Sequence, residues 1–151
     1  MTAISNETEF RQAIKALDTG QQRVLAAKFA ERVLGLCHDK RIANAVRIAA
    51  DPNSSDEELE VAFHEARAAA IDCHTRCGSE GDWAEHAGYF VARAAIAAVT
   101  PESQLDGASP ALQAAMGCRM AQTCKSIAAE EDTAAQEAQA QYRILSEFIA
   151  S

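Results

Sequence analysis

Aromatic side chains are scarce in this chain: of 151 residues, five are Phe, two Tyr and one Trp. A core of stacked rings is thereby excluded, and small aliphatic side chains must fill the interior. Helix breakers are few, with 7 Gly and 3 Pro. No cluster of Lys and Arg occurs, which argues against a phosphate-binding surface and so against nucleic acid. No apolar run approaches the ~20 residues of a membrane span. The opening MTAISNETEF lacks the basic and apolar regions of a secretory signal. The five cysteines are an odd number in a helical chain, which fits thiols in a reducing compartment better than a disulfide framework. A cytoplasmic protein without a membrane partner is expected.

What is present is alanine, at 34 residues, within a hydrophobic fraction of 48%. Alanine loses no side-chain entropy on entering a helix and is the best helix former. The length suits one domain with a proper core. The fold class expected is all-α, a compact single-domain bundle of six or seven helices. Residues 1–36 form an N-terminal helical hairpin packed on an alanine-rich core, 37–151. The net charge of −8 serves solubility, and it would also steer a basic protein partner toward the chain.

Capping signals divide the chain. Asn6 stands three residues before Glu9 and Thr19 three before Gln22, both at capping-box spacing. The second helix runs to about Leu36, with Leu25, Phe29, Val33 and Leu36 on one face. Asp39 caps KRIANAVRIAA, and Ser55, three before Glu58, starts a long helix. Asp82, three before Glu85, caps a helix to about Val99, and Ser109 with Pro110 starts the next. Within AAEEDTAAQ, Asp132 or Thr133 offers a further cap. In the 82–99 helix, Trp83, Ala87, Phe90, Ala94 and Ala98 share one side at about 100° per residue and are expected to face the core.

The chemical candidates concentrate in FHEARAAAIDCHTRC, residues 63–77. With His64 at zero on a helical wheel, Cys73 falls near 180°, Cys77 near 220° and His74 near 280°, at about 100° per residue. Both cysteines then lie in the stripe of Leu59, Phe63, Ala66 and Ala70, where a thiol acts as a small buried hydrophobe. The functional alternative is a zinc site of Cys73, Cys77 and a histidine from elsewhere, His86 or His38, although structural zinc usually takes a second cysteine pair. CHTRC has three intervening residues, not the two of the redox motif. The metalloprotease pattern fails because Ala68 occupies the second histidine position. Glu-x-x-His, nucleophile-elbow and phosphate-loop patterns are absent. His86, Tyr89 and Arg93 share the polar side of their helix. Cys118 and Cys124 lie about 240° apart and form no local pair. No catalytic residue, resident metal or cofactor is assigned.

Asp56, Glu57, Glu58, Glu60, Glu65 and Asp72, together with Glu130, Glu131 and Asp132, would make a strongly negative patch if their faces meet. The helix dipole alone explains acidic first turns. From residue 37 onward, DKRIANAVRIAAD, SSDEELEVAFHEARAAAIDC, HAGYFVARAAIAA and EAQAQYRILSEFI resemble the alanine-rich, all-helical immunity proteins of bacterial polymorphic toxin systems. Glu137, Gln141 and Leu145 at helical spacing belong to that likeness; the hairpin 1–36 and Tyr142, where a tryptophan is expected, depart from it. The resemblance implies a non-catalytic module that binds and blocks a toxin. The expectation is a protein-binding module with an acidic surface and a basic partner. The alternatives are a small metal- or cofactor-holding helical protein and a helical homodimeric scaffold.

Overall fold

The computed structural model describes residues 3–77, 83–129 and 134–150, and at positions 76–77, 128–129 and 134–135 the backbone alone. Among the described residues seven α-helices follow one another: α1 (Glu7–Lys15), α2 (Thr19–Val33), α3 (Lys40–Ala50), α4 (Asp56–Cys77), α5 (Trp83–Val99), α6 (Pro110–Ala129) and α7 (Ala134–Ala150). Short 3-10 turns at Leu34–Leu36 and Glu102–Gln104 complete the order, with no strand among the described residues. The bundle is all-α and single-domain. No helix among the described residues is long and apolar enough to cross a membrane.

Local chemistry sets the starts of these helices. Asn6 Oδ1 accepts from the Glu9 amide at 2.9 Å, while the Glu9 carboxylate turns back to Ser5. Ser55 and Glu58 make the reciprocal box expected of them. Asp39 accepts from the Arg41 amide, and Ser109 from that of Leu112. Both supply acceptors to otherwise orphaned amides. One cap is displaced by a residue: Asp18, not Thr19, starts α2, paired reciprocally with Gln21. A carboxylate is the better acceptor, and its choice frees Gln22 for the interior. The caps expected at Asp82 and at Asp132 or Thr133 lie outside the described residues.

Helix α5 is the hub, packing against α2, α3, α4 and α6; α7 lies on α6 and α2, and α1 reaches α6. Its buried residues, from Ala87 to Val99, cover about 220° of its circumference at about 100° per residue, and leave open only the side that carries Tyr89, Arg93 and Ile96. Trp83 is the correction here. It is 48% exposed and outside the core, because α5 is covered by alanine contacts on several sides and its first turn projects past them. Elsewhere bulky residues fill the gaps: Phe10 meets Phe29 and Tyr142, ring centroids 5.9 and 5.4 Å apart. Arg23 of α2 closes the end of α5 by donating to the carbonyls of Ala98 and Thr100 at 3.1 and 2.9 Å, which the helix itself leaves unpaired.

Candidate functional site

The stripe of α4 carries Cys73 inward beside Phe63, Ala66 and Ala70, all buried, and its S–H donates to the Glu85 carbonyl at 3.6 Å. Facing it is the Leu34–Leu36 turn. A Cβ on Gly88 of α5 would stand 3.2 Å from the Leu36 carbonyl oxygen, so the glycine lets that turn rest directly on α5, where a side chain would press it outward by a few tenths of an ångström. The result is an open cleft of about 750 Å³ lined by Cys37 and His38, which follow the turn, and by Cys73, Asp39 and Lys125. Its walls are small residues such as Ala69, Ala87 and Ala92.

The sequence placed His38 or His86 with Cys73 and Cys77. The structure brings His38 into the cleft with Cys73 and adds Cys37, which periodicity within one helix has no means of finding. His86 packs instead against Trp83, ring centroids 5.6 Å apart. The Cys77 side chain lies outside the described residues. Among the described residues no three His, Cys, Asp or Glu side chains converge as metal ligands do. His64 is exposed as expected, 3.9 Å from Glu60. Cys118 and Cys124 are buried, and burial pushes both thiols above their ordinary range, which disfavours the reactive thiolate.

A second arrangement is a polar network inside the bundle. The Glu137 carboxylate, 1% exposed, accepts from Arg32, Gln122 and Gln141 at 3.2, 3.4 and 3.3 Å. Gln141 also donates to the Ala115 carbonyl and accepts from Arg119. Arg119 continues to Glu7, which accepts from Tyr142. Burial works to raise the Glu7 carboxyl, but the Tyr142 hydrogen bond and the Arg119 charge hold it below the ordinary carboxylate range. Gln22 is a further interior polar residue that sequence reasoning missed. It donates to the Ile14 and Leu17 carbonyls and accepts from Ser109 at 2.6 Å. Its signal was its place in the buried stripe of α2, three residues before Leu25. These groups tie α1, α2, α6 and α7 together.

The third arrangement is the outer side of α3 and α4. Glu57, Glu58 and Glu65 line a shallow groove of about 360 Å³ with Val61, Asn44 and Ile48. Val61 is 58% exposed and Ile71, farther along, 62%. Arg41 bonds Asp39 at 2.7 Å and Asp72 at 2.8 Å, and these hydrogen bonds raise its already high pKa. Asp72 thus shares Arg41 with Asp39, whereas Glu57 and Glu65 have no cation at ion-pair distance among the described residues. Glu130, Glu131 and Asp132 lie outside the described residues. Comparison with protein-family profiles, with curated proteins and with solved structures finds no match to this chain.

Proposed function

We propose that the chain is a non-catalytic protein-binding module whose α3–α4 face receives a basic, partly apolar segment of its partner. The observation that carries this reading is the groove itself: Glu57, Glu58 and Glu65 surround the exposed Val61. Carboxylates without internal cations keep their charge available for a partner and steer its approach. An exposed aliphatic residue at the centre supplies apolar contact area that a purely solubilising surface does not need. The resemblance to immunity proteins suggests a partner class, a basic toxin domain that the module would block by occupancy.

Affinity capture from the native host tests the reading. The expected catch is a basic protein that is released at about 1 M salt, where the Debye length is about 3 Å. The variant Glu57→Lys/Glu65→Lys loses it, and Val61→Arg weakens it. Recovery of chaperones alone, or of the same protein by the charge-reversed variant, refutes the proposal.

The cleft favours a second reading, a small-ligand or metal-holding helical protein. Its volume of about 750 Å³ falls in the usual range for ligand pockets, roughly 300–1,000 Å³. Metal analysis of protein purified without chelator, repeated on Cys37→Ser and Cys73→Ser, decides its metal form. Stoichiometric zinc or iron that either substitution removes supports it, and metal-free protein rejects it.

A further inference from the structure

Between α5 and α6 lies a groove of about 420 Å³ whose lining includes Phe90, Ile96, Leu112, Met116 and Met120. In a chain this poor in bulky side chains, the concentration is unusual: both methionines beyond the first residue stand here, and Met120 is 46% exposed. Trp83, the only tryptophan, extends the same face, since seven residues separate it from Phe90, about 20° round the helix and ~10 Å along it. A Cβ on Gly117 would stand 3.2 Å from both the Ala94 Cβ and the Phe90 carbonyl. That close approach sinks the groove floor while the long side chains stand up on either side.

The charges say what fits. The chain carries −8 overall, yet the groove lining holds one charged side chain, Arg93, and no carboxylate, while Arg119 turns to Glu7 and Gln141 and Lys125 to the first cleft. Arg93 is exposed on the groove, its guanidinium 6.0 Å from the Tyr89 ring centroid, and no carboxylate lies at ion-pair distance among the described residues. An occupant therefore needs an apolar stripe flanked by negative charge, the composition of an acidic amphipathic helix lying in a helical groove. The chain's own exposed acidic helix does not match, because Val61 and Ile71, its large solvent-facing apolar residues, are ten positions apart. We propose that the α5–α6 groove docks an amphipathic helix of another protein, its apolar side chains entering between Phe90 and Met120 and a carboxylate pairing with Arg93. This face shares no residue with the α3–α4 groove and selects the opposite charge.

Two tryptophan-free helical peptides of ~18 residues, about 27 Å long, test the proposal. They carry the same leucine stripe, flanked by glutamates in one and by lysines in the other, and Trp83 emission reports binding to the full chain. The glutamate peptide is expected to bind, and the lysine peptide at least about tenfold more weakly. Arg93→Glu is expected to invert that order, and Met120→Asp to abolish binding of both, with helical circular dichroism unchanged because both residues are exposed. Equal affinities, no binding by either peptide, or a preference that survives Arg93→Glu overturns the proposal. So does sedimentation as a dimer that Met120→Asp dissociates, which would make a second copy of the chain the occupant.

Discussion

Glu137 is a carboxylate with 1% of its surface exposed, in a bundle whose interior is otherwise mostly alanine. Desolvating a charge is tolerable only when its lone pairs are filled, and Arg32, Gln122 and Gln141 fill them. Glu137→Ala leaves those donors facing an empty site and should cost about 2–3 kcal/mol, read as a drop in the urea midpoint. Glu137→Gln keeps one acceptor oxygen for Arg32 and Gln122 but sets its NH2 against the Gln141 donor, so the expected cost is about 1–2 kcal/mol, still below that of alanine. Equal losses for the two would mean that the charge, not the filling of lone pairs, holds α7 in place. Glu7 offers the matching pH experiment. Its carboxyl is held below the ordinary range in the folded chain, so its contribution is present above the unfolded value and is lost as pH falls through the folded one. Glu7→Gln should be less stable than the parent at neutral pH by on the order of 1 kcal/mol, discounted for its partial exposure. The gap should close in acid as the parent protonates. Urea titrations at neutral and acid pH, with an undiminished gap in acid, would remove Glu7 from that role.

At the scale of the helix, the two close approaches onto α5 are made by glycines that a propensity scale counts as defects. Alanine in a helix interior is favoured over glycine by about 1 kcal/mol, but at Gly117 the added methyl meets the Phe90 carbonyl and the Ala94 amide at 3.2 and 3.3 Å. Those are backbone atoms of a buried helix and move little, so Gly117→Ala should be destabilising, by about 1–2 kcal/mol net. Gly35→Ala, with nothing within 4 Å of the new Cβ, should be neutral or stabilising by up to about 1 kcal/mol. Thermal melts of the pair separate packing from propensity, and a stabilised Gly117→Ala would show that α6 has room to shift. The same contrast explains what was legible beforehand. Caps at Asn6, Asp39, Ser55 and Ser109 are written within four residues, so reading along the chain finds them. The wheel also placed Cys73 on the buried stripe of α4, because that helix is covered from one side. It misplaced Trp83 although its direction round α5 matches buried Ala87, Ala94 and Ala98, because periodicity does not tell how far along the helix the covering neighbours reach. The sharing of one cleft by Cys37 and Cys73 and the pairing of Arg32 with Glu137 are tertiary facts between distant segments. Gln141 and Leu145 showed a helical spacing, but not that the polar positions are buried with it.

Across the whole molecule, charge and burial are partitioned by face. Carboxylates without internal cations gather on the α4 side of its groove with α3, exposed Trp83 and Met120 stand on α5 and α6, and the small residues between them let four helices pack on α5. A core made of such short side chains gains from many close contacts at once, not from a few large anchors, so opening should be cooperative. The thiols report this directly. Cys37 is half-buried at the cleft, whereas Cys118 is fully buried beneath α7 among the polar network, its thiol pushed up by burial and by the Glu137 charge. In a Cys77→Ser background at mildly alkaline pH, maleimide should modify Cys37 in the native state, with peptide mass spectrometry locating the adduct. Cys118 should react roughly 10³-fold more slowly or less, through global unfolding, and its rate should rise with urea along the unfolding transition. Modification of Cys118 at the pace of Cys37 would instead show that α7 lifts away on its own, and that the Glu137 network latches a separable helix rather than closing a single cooperative bundle.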